Sequence, residues 1–315
     1  MKCPICTSQD LRHVQDLCDD RYGFPESYPL VACRVCGHRF LGAAFTPAEL
    51  TRLYTDYYPR GGQVDVPQQP SRERGRLAAW WQGDAGSASR WVPAGSRVLD
   101  VGCGACQSLD FLRRRGCEVH GVEADENVRE IARAGGFDVR IGPFDPADFE
   151  PGSFDCITMD QVIEHMPDPV QTLRGVAQLL RPGGVAVLST PNAEGWGAAL
   201  FGRRWINWHS PYHLHHFSRS SLHRLAEPAG LMIERIAHIT NADWLLYQWI
   251  HLATVPACGT ASSFWSTKSA RSSRERVAIR AVSVLHATGF DHLLTRLFDA
   301  LGIGDNRIIL LRRPT

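Results

Sequence analysis

Short apolar runs alternate through the middle of the chain with segments whose apolar positions recur every three to four residues. That alternation predicts a mainly parallel sheet flanked by helices. The runs place strands over 97–101, 118–123, 138–141, 154–160, 185–190, 232–239 and 307–311. Their near-continuous apolar character, as in Val98-Leu99 and Cys156-Ile157, is what a strand covered on both faces requires. The clearest helix starts at Pro169 and is stopped by Pro182-Gly183-Gly184; another is capped by Ser218 and ends near Gly230. Residues 240–304 are mostly helical in pattern and carry no chemical motif. Their most apolar part, 244–258, contains Gln248, His251 and Pro256 and falls short of the roughly 20 residues that span a bilayer. It reads as a buried or surface-lying helix, with peripheral membrane contact the lesser reading.

Upstream of the sheet, Thr46-Pro47-Ala48-Glu49 reads as a capping box opening a helix to about residue 58. A Gly-, Pro- and Gln-rich linker follows over 61–70, then a glycine-broken helical stretch over 71–91. The expected organisation is a small module over 1–45, a helical cap over 46–92, an α/β core over 93–240, a helical insertion over 241–304 and a last core strand over 305–315.

Composition narrows the partners. Lys+Arg 34 against Asp+Glu 33 gives a net charge of +1, without the basic footprint of a nucleic-acid binder, so no nucleic acid is expected. The first residues lack the apolar region of a secretory signal, which points to the reducing cytoplasm and makes the ten cysteines thiols and metal ligands. Four of them form two CxxC pairs, Cys3/Cys6 and Cys33/Cys36. Such turns set two sulfurs on one tetrahedral zinc, and four thiolates leave no position for water, so the expected zinc is structural. His38, after the second pair, is the one substitute ligand.

The richest chemistry lies in Val98-Leu-Asp-Val-Gly-Cys-Gly-Ala-Cys106. A buried strand turns there through Gly102 and Gly104 into a helix whose first amides are free for a carboxylate. Asp100, just before the turn, suits a cation, and Glu123 ends the next strand where a ribose diol takes an acid. A dinucleotide fingerprint needs a third glycine at position 107, which is Gln107 here.

With GSFDCITMDQVIEHMPDP and LRPGGVAVLSTPN following in order, residues from about 93 to 240 and 305–315 resemble class I S-adenosylmethionine-dependent methyltransferases. The resemblance implies a doubly wound, Rossmann-like, seven-stranded fold with S-adenosylmethionine as cofactor. It puts Gly102 and Gly104 along the methionine moiety with Asp100 near it, Glu123 on the ribose, Phe144 and Asp145 at the adenine edge, and Asp160 and Gln161 beside the sulfonium. Cys106 departs from the family, many members of which carry glycine there. Taken whole, with its CxxC pairs and LYTDYY segment, the chain resembles a branch associated with polysaccharide and sugar derivatives, implying a small acceptor such as a nucleotide sugar or glycolipid.

Four histidines, His209, His213, His215 and His216, crowd the segment after the fifth core strand, where loops border the crevice of such sheets. Imidazole can take a proton from an acceptor near neutral pH. His213, matching the family's HxxxFS-like segment, is the first candidate base, followed by His216 and His165. Packing of the loop by hydrogen-bonded histidines with Trp205, Trp208 and Phe217 is the competing reading. Two other functions are weighed: an RNA or protein methyltransferase gripping its substrate with the zinc module, and a non-catalytic zinc-ribbon interaction protein.

Overall fold

A computed structural model describes residues 1–43, 45, 46, 49, 52–58, 74–266 and 269–315. The linker expected over 61–70 lies outside the described residues. The capping box is present, with the Glu49 carboxylate accepting from the Thr46 amide at 2.7 Å. Beyond it, Leu53–Tyr57 forms a single π-helical turn.

The strands are β1 (Leu11–Cys18), β2 (Ser27–Cys33), β3 (Arg39–Leu41), β4 (Arg97–Val101), β5 (Glu118–Glu123), β6 (Asp138–Ile141), β7 (Phe154–Asp160), β8 (Leu180–Pro191), β9 (His215–His216), β10 (Met232–His238) and β11 (Asn306–Arg312). The helices are α1 (Arg76–Gln82), α2 (Gln107–Arg114), α3 (Val128–Gly135), α4 (Pro169–Leu179), α5 (Trp196–Phe201), α6 (Arg219–Ala226), α7 (Ala242–Thr254), α8 (Ser273–Ala287) and α9 (Phe290–Ala300). Among the described residues, no helix is long and apolar enough to cross a membrane.

Seven strands form one sheet in the order β10-β11-β8-β7-β4-β5-β6. The strands from β6 to β8 pair in parallel, and β11 is antiparallel to both neighbours. The chain reverses its winding between β4 and β7, so the crevice at the carboxyl ends of β4, β5 and β7 is where such a sheet binds its ligand. Leu99, Ile157, Met159 and Leu188 are fully buried, as two-sided coverage demands.

Two expectations change. The helical stretch over 71–91 is only α1, because Gly83 stops it in the left-handed conformation and two 3₁₀ turns, Asp84–Gly86 and Ala88–Trp91, carry the chain on. The Pro182-Gly183-Gly184 stop lies inside β8, which begins directly after α4.

The second sheet has the order β1-β2-β3-β9 and is antiparallel throughout. Its fourth strand is contributed by the histidine segment: Arg39 faces His216 and Phe40 faces His215. One hydrophobic cluster joins both sheets, with Cys3, Ile5, Cys36 and Phe40 packed among residues that include Leu173, Leu188, Phe217 and Leu222.

Candidate active site

β4 delivers its last residues to the crevice through a strained turn. Gly102 has φ +76°, and a Cβ there would meet Val162 Cγ2 at 2.4 Å, so only glycine fits. Gly104 has φ +50° and faces open space, with nothing within 4 Å of an added Cβ. Cys106 takes a left-handed φ of +63° before α2, which explains why glycine suits that position in similar chains. Across the turn, Glu123 accepts from the Gly104 amide at 2.9 Å and from the Asp125 amide at 2.9 Å.

Acids dominate this edge. Asp100 is buried and accepts from Thr158 Oγ1 at 2.6 Å and from Ser108 Oγ. Burial pushes its carboxyl up to about 6, with the Asp160 and Glu123 charges adding to the rise. Asp160 accepts from Ser87 Oγ at 2.5 Å and the Ala88 amide at 3.2 Å, which ties the turn before β4 to the end of β7. Burial raises its proton affinity as well. An open glycine turn rimmed by carboxyl groups fits a ligand that is cationic at one end and carries a diol.

The other wall is aromatic and cationic. His213 is buried, and its Nδ1–H donates to the Asn207 carbonyl at 2.8 Å, leaving Nε2 with the lone pair. Burial, then the neighbouring His165 and His216 and the Arg21 charge, hold its proton affinity well below the ordinary value, so the ring is neutral. The His165 ring stands edge-on to it at 4.6 Å, and burial brings that imidazole down to about 4. Glu164 completes a triad with these two histidines, their ligand atoms all within 4.8 Å of one another. It accepts from Thr190 Oγ1 at 3.0 Å, its Oε1 is buried without a hydrogen bond, and burial lifts it to about 8. Tyr22, Tyr58 and Tyr212 pack mutually at 4.9–5.5 Å beside His209. Tyr58 lies within electrostatic reach of Arg21, Glu123 and Glu164, which links the two walls.

A family model described as a methyltransferase domain matches residues 66–236, more than half of the chain. The chain belongs to this methyltransferase family. It is 32% identical over 170 residues to the ubiquinone biosynthesis O-methyltransferase of Xanthomonas axonopodis pv. citri, covering 50% of this chain and 71% of that protein. To the protein of the same name from Thiobacillus denitrificans it is 31% identical, covering 48% and 73%. Among solved structures, an S-adenosylmethionine-dependent methyltransferase from Mesorhizobium loti aligns with a TM-score of 0.45 at 19% identity, over 75% of this chain and 98% of that one.

In this S-adenosylmethionine-dependent methyltransferase the expected cofactor positions fall into two groups. Gly102, Gly104 and Glu123 meet at the turn. Asp100 sits just behind it, both oxygens already engaged by the protein. The remaining four are turned to their own surroundings, Asp160 toward Ser87 and Ala88. Gln161, in a left-handed conformation at φ +57°, sends its amide back to Ser189 Oγ at 2.8 Å and Asn306 Oδ1 at 2.9 Å. Phe144 packs on α4 near Gly175, and exposed Asp145 caps the turn Pro146–Asp148. His216 is buried in β9 with its ring 4.8 Å from Trp208, and neither ring nitrogen has a hydrogen-bond partner among the described residues.

Glu164 and Arg21 were not singled out from the sequence as site residues. The signal for Glu164 was an acid embedded in the apolar run Val162-Ile163-Glu164-His165-Met166.

The four cysteines of the CxxC pairs converge, with all sulfurs within 4.8 Å and the closest pairs at 3.5 and 3.6 Å. A tetrahedral zinc with bonds of about 2.3 Å needs sulfurs about 3.8 Å apart, so the donor set fits that ion. Cys33 is brought down to about 7, the Cys36 and Val35 amides outweighing the burial that opposes them. His38 does not substitute for a cysteine: the cluster is formed by the four thiols, and the His38 Nε2 meets His215 Nδ1 at 3.1 Å with its ring stacked between Phe40 and His215.

Proposed function

We propose that this methyltransferase transfers the methyl group to a hydroxyl of a small, ring-bearing acceptor held among Tyr22, Tyr58, Tyr212 and His209, with His213 as base. The observation that carries the reading is the tautomer of His213: its Nδ1–H is committed to the Asn207 carbonyl at 2.8 Å, which leaves the Nε2 lone pair to accept a proton. S-adenosylmethionine, when bound, supplies an electrophilic methyl on a sulfonium. For its part the chain offers Glu123 to the ribose hydroxyls, the Gly102 and Gly104 backbone to the methionine end, and the charges of Asp100 and Asp160 to the cation. His165 and Glu164 stand beside His213, their ligand atoms within 4.8 Å of one another, and shape the pocket around its ring. The four cysteines hold a structural zinc.

The acceptor placed first is a sugar-linked hydroxyl on a nucleotide sugar or glycolipid, as the resemblance of the whole chain implies. A phenolic hydroxyl is the second reading, favoured by the O-methyltransferases that the core resembles at 31–32% identity. Support for a small acceptor over RNA or protein comes from the zinc module itself. Its β3 edge is taken by β9, and the Cys36 carbonyl accepts from Ser218 Oγ at 2.5 Å, so the module grips its own chain.

The test is transfer of a labelled methyl group to panels of nucleotide sugars, glycolipids and catechols, read by mass spectrometry. On the acceptor that reacts, His213→Gln should lower turnover by about 10²–10⁴-fold with cofactor affinity nearly unchanged. Activity falling only in proportion to folded protein would reduce His213 to a packing residue.

A further inference from the structure

Arg21 lies in the turn between β1 and β2, at the edge of the acceptor wall, and is only 4% exposed. Burying a guanidinium is costly unless an anion neutralises it. Among the described residues, no carboxylate pairs with it. Of the two acids beside it in sequence, Asp19 accepts from the backbone amides of Arg21, Tyr22 and Phe24, and Asp20 Oδ2 lies 3.2 Å from His251 Nε2 while its Oδ1 is buried without a hydrogen-bond partner. What Arg21 does have is neutral. Its Nη2 donates to the Ile206 carbonyl, it bonds the Tyr22 hydroxyl, and its guanidinium lies 4.4 Å over the Trp265 ring. These contacts offset part of the desolvation and leave the guanidinium without a direct ionic partner among the described residues, with Nε buried and unbonded.

The charge is felt at the site. Arg21 lowers the proton affinity of His165, His209 and His213, and it acts on the buried phenols of Tyr22 and Tyr58. Those histidines are neutral, and Glu164, held near 8 by burial, is protonated at neutral pH. The acceptor wall therefore carries a guanidinium that no carboxylate contacts among the described residues, in contrast to the acid-lined cofactor wall. A planar fork of N–H donors beside aromatic rings is suited to an oxyanion attached to a ring.

Resting on the acceptor reading above, we infer that Arg21 is an anion-recognition residue and that the natural acceptor carries a phosphate or carboxylate group, which pairs with this guanidinium. A nucleotide sugar would offer the phosphate and a phenolic acid the carboxylate. The chemistry at Arg21 is the same.

The experiment is calorimetric and needs no turnover, so it fails or succeeds independently of the methyl-transfer reading. The full zinc-loaded chain, saturated with S-adenosylhomocysteine, is titrated with two matched pairs: uridine diphosphate against uridine, and 3,4-dihydroxybenzoate against 3,4-dihydroxybenzaldehyde. The charged member of at least one pair should bind and its neutral partner should bind at least tenfold more weakly, as a charge-assisted bond to a buried cation implies. Which pair responds distinguishes phosphate from carboxylate. Arg21→Gln should abolish the preference while S-adenosylhomocysteine affinity stays within about twofold. Should that variant fold poorly, Arg21→Lys, which keeps the charge and loses the fork, should retain part of the preference. Equal binding of charged and neutral partners, or no binding of either charged probe at millimolar concentration, overturns the inference. So does a preference that survives in folded Arg21→Gln.

Discussion

Glu164 keeps its proton up to about 8 in the folded chain, against an ordinary value of 4.5, because a carboxylate there would be buried. In the unfolded chain the same group ionises from about 4.5 upward, so the folded state binds more protons between these limits. Stability from this residue therefore falls as pH rises through that window and is level above it, at most about 1.4 kcal/mol per pH unit. Glu164→Gln should remove the slope, visible as urea midpoints that converge at about pH 5 and exceed wild type at about pH 9. An unchanged slope would mean that the carboxylate is solvated. The buried histidines act in the opposite sense. His165 and His215 sit near 4 and His216 near 3, so their contribution is complete above 6.5 and is lost as pH falls toward 4. At the cofactor wall, Glu123→Ala should weaken S-adenosylhomocysteine binding about ten- to a hundredfold, since bonds to a charged acceptor are worth about 1.5–3 kcal/mol. Calorimetry showing unchanged affinity would place the ribose elsewhere. None of these states was legible in the sequence. Asp100 and Glu123 were found by position, but that Asp100 is already bonded on both oxygens, and that Gln161 turns inward, depends on partners 8 to 145 residues away.

At the scale of elements, legibility followed burial. The core strands were readable because two-sided coverage makes them apolar throughout; β5 and β7 run over the predicted residues. β1 carried no strand signal because Arg12, His13 and Asp16 are exposed, only Leu17 is fully buried, and its alternation is broken by a bulge near Val14. No local signal could reveal β9. It is two residues long and exists only because β3 supplies its partner. That pairing makes the four-cysteine module a brace for the histidine segment. Chelating the proposed zinc, or replacing all four cysteines with serine, should free amides 39–41 and 215–217 to hydrogen exchange while β4, β5 and β7 remain protected. Retained protection at Leu41, whose amide donates to the Leu214 carbonyl at 3.0 Å, would mean that packing alone holds the segment.

Over the whole molecule, the two sheets share one apolar cluster, and the acceptor wall is assembled from both: Arg21 and Tyr22 come from the first sheet's turn, His209 and His213 from the loop that leads into β9. The contact of His38 with His215 spans 177 residues of chain. During synthesis the amino-terminal sheet is therefore made long before its fourth strand leaves the ribosome, and it waits with the β3 edge unpaired. Closing so large a loop is entropically expensive and comes late, after the local βα units have formed. The proposed acceptor wall is thus among the last parts to mature, and the exposed edge of β3 is the surface by which a nascent chain could pair with a neighbour instead of with itself.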